Sequence, residues 1–157
     1  MDDVAAACGI TKLIVYRHFE TKEELYRAIL QRVFDRLAQE FTTNFTAPST
    51  RGMGARTQLT VARDDPDGYR LLWRHAAREP KFADYAAEVR RASVQVVREL
   101  TDVDTGTPSV DRWQAETIFS WLIETTLAWL DEGEVALDDL FIERVTTSLT
   151  AIRQAWA

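Results

Sequence analysis

The sequence has little of several residue types, and each shortage excludes a class of protein. Its 157 residues include one cysteine, Cys8, so no intramolecular disulfide can form and a reducing cytoplasm is expected. Six glycines and four prolines are too few for a loop-rich or β-rich chain. Two histidines and one cysteine are too few and too scattered for a metal site, so we predict no metal.

Long hydrophobic runs are also absent. The longest apolar-rich stretch, 118–130, spans 13 residues and contains Glu124, which makes it too short to cross a bilayer. The sequence after Met1 has no charged segment followed by an apolar one, so no signal peptide is expected. We therefore predict a cytoplasmic protein with no membrane partner.

Residue combinations typical of enzymes are missing as well. The carboxylate pairs Asp64-Asp65 and Asp138-Asp139 are adjacent in sequence, so their side chains diverge on a helix. His75 has no serine or cysteine nucleophile beside it. We predict no catalytic residue, no cofactor and no enzyme activity.

Helical periodicity is what the chain does have, together with 46% hydrophobic residues to build a core. Thr21 and Glu24 have capping-box spacing, and Asp111 and Gln114 repeat it. Gly133 is expected to end a helix. No strand pattern occurs, so we predict an all-α chain. Helices are expected over about 22–45, 55–64, 69–78, 82–100, 111–130 and from 138 onward, with a turn over 64–68.

Charge is distributed unevenly along the chain. The net charge is −6, from 19 cationic and 25 anionic residues. Residues 1–32 hold five of each sign, so the remaining 14 cations and 20 anions carry the whole deficit. A neutral, locally cationic tip on an acidic body fits a protein that touches DNA only with its tip, although solvated helix surface explains the same charges. We divide the chain into a DNA-binding head with its connecting helix, 1–45, and a body, 46–157.

The beginning of the chain predicts a helix-turn-helix. Ala5 is small enough for a close helix crossing, Gly9 suits the turn, and Thr11 can cap the second helix. Val15 and Phe19 are four residues apart and share the inner face of that helix. The outer face carries Lys12, Leu13, Tyr16 and Arg17, the layout that a helix needs to enter a major groove.

These residues resemble the DNA-binding region of the tetracycline-repressor-like (TetR) family of transcriptional regulators. The resemblance rests on Val4-Ala5-Ala6-Ala7-Cys8-Gly9-Ile10-Thr11, on Val15-Tyr16-Arg17-His18-Phe19 and on Thr21-Lys22-Glu23-Glu24-Leu25. It implies an incomplete head, because the family places a further helix before the two that follow Met1, and we expect a longer native chain. It implies phosphate contacts at Tyr16, His18 and Lys22. From the predicted recognition helix we add DNA contacts at Thr11, Lys12, Leu13, Ile14 and Arg17, although ordinary surface polarity explains Lys12 and Arg17 taken one at a time. Leu13 and Ile14 are larger and more apolar than is usual there, which favours contact with thymine methyl groups.

The resemblance also implies a homodimer with a ligand pocket in the body. The stretch 110–130 is apolar nearly all round, which fits a buried core helix or a helix shared with a second copy; with the last helix it is the predicted dimer face. That face comprises Ile118, Trp121, Leu122, Trp129, Val145, Leu149 and Ile152. A polar-aromatic mixture suits a small-molecule pocket, for which the candidates are Trp73, His75, Trp121, Glu124 and Thr125.

We therefore predict a ligand-responsive DNA-binding regulator, a repressor released from its operator by a small apolar or aromatic effector. In the dimer, two recognition helices would enter successive major grooves about 34–36 Å apart. The alternative is an all-α dimeric module that binds a ligand or a partner without binding DNA.

Overall fold

The described part of the protein is entirely helical, as the sequence predicts. A computed structural model describes residues 18–47, 49–101 and 105–156, and no strand occurs within these ranges. Their six α-helices are α1 (Lys22–Phe45), α2 (Met53–Asp64), α3 (Pro66–Arg70), α4 (Ala83–Thr101), α5 (Pro108–Glu132) and α6 (Asp138–Trp156). None of the described helices is both long and apolar enough to cross a membrane.

The first helix begins where the capping-box spacing places it. The Thr21 hydroxyl oxygen accepts a hydrogen bond from the Glu24 backbone N–H at 3.1 Å. The Glu24 carboxylate in turn accepts from the Glu20 backbone N–H at 2.7 Å. These bonds satisfy backbone donors that the first turn of a helix leaves unpaired. From Lys22, α1 runs for 24 residues, about 36 Å at 1.5 Å per residue.

This long helix is packed into the body rather than standing apart from it. Leu30, Val33 and Leu37 are buried in the main core. There they join α3, α4, α5 and the residues that follow α3, in a cluster that includes Tyr69, Leu72, Val89, Phe119, Ile123 and Leu127. The division of the chain at residues 45 and 46 stays a prediction, but α1 itself shares its core with residues beyond that boundary.

A second, smaller core holds α6 against α2 and α5. Ala55 and Leu59 of α2 meet Leu122 of α5, and Phe141 and Val145 of α6 complete the cluster. Helix α5 faces both cores, since Phe119 and Ile123 belong to the main one and Leu122 to the smaller one. Its apolar residues all round are therefore largely explained by burial within one chain.

The segment after α2 differs from the turn and regular helix expected there. Asp65 caps α3, accepting from the Gly68 backbone N–H at 3.0 Å. The chain then continues through a π-helical turn, Leu71–His75, and a 3₁₀ turn, Ala76–Arg78. Gly68 permits this close packing, because a Cβ there would lie 2.8 Å from Val33 Cγ2 on α1.

The start of α5 corrects the predicted cap. Thr107 precedes the helix and Pro108 opens it, since proline has the required φ and lacks only an N–H that the first turn would leave unpaired. Asp111 lies inside the first turn, where it instead accepts from the Thr105 backbone N–H at 3.0 Å and from the Thr105 hydroxyl at 2.6 Å. Asp111 thus holds the preceding loop, while the buried side-chain oxygen of Gln114 has no hydrogen-bond partner among the described residues.

Gly133 ends α5 as predicted, but for a different reason. Its φ is −89°, which any residue adopts. A Cβ there would lie 2.3 Å from Trp129 Cδ2, so the absence of a side chain is what the site requires.

A buried polar link joins α2 to the connection between α5 and α6. The Arg63 guanidinium donates to both Asp138 carboxylate oxygens, at 3.0 and 2.8 Å, and to the Gly133 carbonyl at 3.2 Å. The Trp129 indole N–H donates to Asp138 at 2.7 Å. Burial raises the pKa of Asp138, but the hydrogen bonds from Arg63 and Trp129 outweigh it and hold this pKa below its usual value.

We expect Asp138→Ala to lower the free energy of unfolding by about 1–3 kcal/mol, because it leaves two half-buried donors without their charged acceptor. Asp139→Ala is the matched control, since Asp139 is exposed in the same first turn of α6, and it should change stability by less than about 0.5 kcal/mol. Urea unfolding followed by circular dichroism measures both.

The pH dependence follows from the lowered pKa. A carboxylate whose pKa is lower in the folded state stabilises the protein above its unfolded pKa, about 3.9, and that contribution is lost as pH falls through the folded value. The stability difference between wild type and Asp138→Ala should therefore shrink in acid. A difference that is constant from neutral pH to pH 3 would contradict the assignment.

Candidate ligand cavity and DNA-facing segment

Two of the eight predicted DNA contacts lie within the described residues. His18 and Lys22 are both exposed, His18 just before α1 and Lys22 as its first residue. Six others, Thr11, Lys12, Leu13, Ile14, Tyr16 and Arg17, lie outside the described residues and stay predictions. A cation at a helix N-terminus does not stabilise the helix dipole. Lys22 and the helix N-terminus instead both attract anions, which suits a phosphate contact.

The first turns of α1 are tied to the segment before α4. Glu23 forms an ion pair with Lys81, which holds the pKa of Glu23 below its usual value. The Tyr26 ring stacks on Phe82 with 4.0 Å between centroids and 8° between planes. The Arg27 guanidinium lies 5.6 Å from the Phe82 centroid. The orientation of the first turns of α1 is therefore coupled to the segment that leads into α4.

The five side chains predicted to form a pocket are not brought together. Trp73 packs on Phe119 in the main core, with ring centroids 5.4 Å apart. Trp121 packs on the smaller core, and His75 and Glu124 are exposed. The reason is helical geometry: Trp121 follows Phe119 by two residues, which turns it about 200° around α5. Trp121 and Glu124 share a surface groove beside Arg90, Glu116, Thr117 and Ser120. Thr125 is half-buried.

A cavity of about 260 Å³ lies instead between α1, α2, α4 and α5. We call it the first cavity. Its walls are apolar and aromatic with four polar side chains, and none of its lining residues is charged. They are Phe34, Leu37, Ala38, Phe41 and Thr42 of α1, Gly54, Thr57 and Gln58 of α2, Ala92, Ser93, Val96, Val97 and Leu100 of α4, and Phe119 and Leu122 of α5.

A second cavity of about 350 Å³ adjoins the first, between α2, α4, α5 and α6. The two share Gly54, Val97, Leu100 and Leu122 as lining residues. Charged side chains line only the second, where Arg51 and Arg153 face it. The body therefore offers an elongated apolar space of the kind that binds small molecules.

Sequence reasoning missed this space because four helices contribute to it. Its one visible sequence signal is the presence of small residues on helix faces that otherwise carry large ones, such as Ala38 on α1 and Gly54 on α2. Each is unremarkable within its own helix, and the sequence does not say which helices face one another.

The predicted dimer residues fall into two groups. Ile118, Leu122 and Val145 are buried within the chain itself, with 5% or less of each side chain exposed, so they have little surface to offer a second copy. Trp121, Trp129, Leu149 and Ile152 are half-buried.

Comparison with known proteins agrees with this architecture. Residues 1–29 match the family described as bacterial regulatory proteins, tetR family. The HTH-type transcriptional activator FasR of Mycolicibacterium smegmatis (strain ATCC 700084 / mc(2)155) is 30% identical over 111 residues, which cover 68% of this chain and 51% of that protein. The chain thus spans about half the length of this relative. A crystal structure of a tetR-family transcriptional regulator from Streptomyces coelicolor matches with a TM-score of 0.68 and 25% identity, over 99% of this chain and 72% of that one.

The described helices define an all-α protein, and its first 29 residues match a family of bacterial regulatory proteins. In this segment and in its fold, the chain resembles regulators of the tetR family.

We expect Gly54→Leu to obstruct both cavities, because Gly54 lines each of them and has no side chain of its own. An uncharged bicyclic probe, 2-ethylnaphthalene, should then bind at least about tenfold more weakly, a loss of about 1.4 kcal/mol. Quenching of tryptophan fluorescence measures the binding.

Gly54→Ala is the matched control. Its Cβ would lie 3.6 Å from Leu122 Cδ2, an ordinary contact, so binding should be nearly unchanged. Equal binding of the probe to wild type and to Gly54→Leu, with helix content preserved in both, would show that these cavities do not take it up.

Proposed function

We propose that the protein is a DNA-binding transcriptional regulator of the cytoplasm whose operator affinity is set by a small molecule in the body. One observation supports a link between ligand binding in the body and DNA binding. Helix α1 begins with the exposed Lys22 within the segment that matches the family, residues 1–29, and five later residues of the same helix line the first cavity. Phe34, the first of them, lies about 18 Å along the helix from Lys22.

The coupling follows from the packing of α1. A ligand in the first cavity contacts the middle of α1 on one side and α4 on the other. The beginning of α1 is held to the segment before α4 by Tyr26, Phe82 and the pair Glu23–Lys81. A ligand that separates α1 from α4 in the middle changes the angle at which α1 leaves this junction. It can shift DNA binding only through a difference in its affinity for the two arrangements.

The effector class and the sign of regulation are parts of the same proposal. Apolar and aromatic walls favour an apolar or aromatic effector. We keep repression as the sequence-based prediction. The similar protein from Mycolicibacterium smegmatis is named an activator, so in vitro transcription from the bound promoter is needed to decide the sign.

We further propose a homodimer, so that two DNA-facing segments can engage an operator with two half-sites. Within α5 and α6 the contact would use the half-buried Trp121, Trp129, Leu149 and Ile152 rather than the residues already covered within the chain.

The alternative is a dimeric module that binds a ligand without DNA. The cavities favour ligand binding under either proposal, so the two functions differ only in what the first 29 residues do.

We expect the protein to bind its own promoter with selectivity over an unrelated duplex and with strong salt dependence. Lys22→Ala should weaken binding, and the slope of log affinity against log salt should fall by about one for the lost phosphate contact. Fluorescence anisotropy at several salt concentrations measures both.

Arg91→Ala is the control for charge alone, because Arg91 is an exposed cation on a different helix, α4. Unchanged affinity and slope in Lys22→Ala, or the same loss in Arg91→Ala, would contradict a phosphate contact at Lys22. Absence of any promoter-selective binding would favour the module that does not bind DNA.

We expect Trp121→Glu to convert a dimer to a monomer, because a charge there would be desolvated in the contact. Phe45→Glu is its control, since Phe45 is an apolar side chain that is 54% exposed on a different helix. Sedimentation equilibrium at matched concentrations measures the mass; a dimer that survives Trp121→Glu would place the contact elsewhere.

A further inference from the structure

Four polar side chains line the first cavity. In two of them the hydroxyl hydrogen is already donated to a backbone carbonyl of the same helix. The Thr42 hydroxyl donates to the Ala38 carbonyl at 2.9 Å. The Ser93 hydroxyl donates to the Val89 carbonyl, also at 2.9 Å. These bonds back to the preceding turn are common for hydroxyl side chains in helices. Neither residue therefore offers a free donor to the cavity.

In the other two, Thr57 and Gln58, the side-chain oxygen accepts a hydrogen bond. The Thr57 hydroxyl oxygen accepts from the Asn44 side-chain amide at 3.1 Å. The Gln58 side-chain oxygen accepts from the Tyr69 hydroxyl at 2.8 Å. In the part of the chain that the structure describes, no acceptor meets the Thr57 hydroxyl hydrogen or the Gln58 amide nitrogen. Thr57 and Gln58, adjacent residues of α2, thus line the cavity, and each has a donor group without an acceptor among the described residues.

The orientation of Gln58 is set from behind by Tyr69. Tyr69 has no exposed surface, and burial raises the pKa of its phenol, so it stays protonated and its hydroxyl can donate to Gln58. A side-chain amide that gives its oxygen to Tyr69 presents its NH₂ group in another direction, and Gln58 lines the cavity. Gln58 is half-buried, and its side-chain nitrogen is not one of the buried atoms that lack a partner among the described residues. An acceptor on a ligand would therefore replace water at this donor with a direct hydrogen bond.

The charge of the cavity walls restricts the ligand further. No charged side chain lines the first cavity. An ionic group placed there would lose its hydration without gaining a partner of opposite charge. Arg51 and Arg153, the cations nearest to it in the lining, belong to the second cavity.

We propose that the first cavity selects an uncharged, largely apolar ligand carrying a hydrogen-bond acceptor such as a ketone or ester carbonyl, which Gln58 and Thr57 bind through their free donors. This inference rests on the proposed function, because it names the ligand class of the same cavity. Tyr69 is a positioning residue that acts through Gln58.

Three matched probes test the ligand class on the full chain by isothermal titration calorimetry: 2-acetylnaphthalene, 2-ethylnaphthalene and 2-naphthoate. They share a ring system and differ in carrying a neutral acceptor, no acceptor or a charge. One hydrogen bond to a neutral group is expected to make 2-acetylnaphthalene bind about three- to tenfold more tightly than 2-ethylnaphthalene. The anion 2-naphthoate should bind more weakly than the ketone.

The double variant Gln58→Leu/Tyr69→Phe tests whether the preference for 2-acetylnaphthalene over 2-ethylnaphthalene depends on these two residues. It removes both partners of the buried hydrogen bond together, so it leaves no unpaired group to disturb folding. We expect the affinity ratio of 2-acetylnaphthalene to 2-ethylnaphthalene to fall below about twofold in this variant. Tyr69→Phe alone should lower the ratio partly, since it frees the Gln58 amide to turn, an effect that a merely structural role would not produce.

Thr42→Val is the matched control, because the Thr42 hydroxyl lines the same cavity but is already bonded to its own helix. The ratio should be unchanged in this variant.

Equal binding of the ketone and the hydrocarbon to wild type, a ratio preserved in the double variant, or tightest binding of 2-naphthoate would each overturn the ligand class and leave the proposed regulator intact. If none of the three probes binds, both the ligand class and the role of the cavity fail. Promoter binding, which requires no probe, then decides separately whether the protein still acts on DNA.

Discussion

The burial of α1 in the body is the constraint on which the rest of the structure depends. Leu30, Val33 and Leu37 have 7% or less of their side chains exposed, and each contributes to the main core. The helix that begins with the exposed Lys22 is therefore not a separate linker but one wall of the body. Five of its residues line the first cavity, so a ligand there would contact this wall, and we expect the proposed ligand binding and DNA binding to be linked for this reason.

Polar contacts also fix the positions of neighbouring helices relative to one another, which apolar packing alone does not determine. Arg63 and Asp138 lock α2 to the start of α6, and Trp129 adds the end of α5. On the other side of the core, Asp131 accepts from Arg70 and from Arg74, which ties the segment after α2 to the end of α5. None of these six linking residues lines the first cavity, so they fix the helices without using the side chains that would contact a ligand there.

Interpretation from sequence worked best where the signal is local. The capping box at Thr21, the period of apolar residues along α1 and the stop at Gly133 depend on a few neighbouring residues, and all three are in the structure. The cap predicted at Asp111 was wrong because Pro108, three residues earlier, opens the helix and leaves Asp111 to bind Thr105. The π-helical turn at Leu71–His75 has no local signature that would distinguish it from a regular helix.

The sequence by itself determined the all-α class, the helix that joins head to body and the family-like segment at the beginning of the chain, because each depends on short-range periodicity or on residue identity. Only the tertiary structure decided where the cavities lie and which donors face them. Gln58 and Tyr69 are eleven residues apart and meet across a turn, while Thr57 meets Asn44 of another helix. Which side chains meet depends on how the helices pack against one another, and the residue pattern of a single helix does not contain that information.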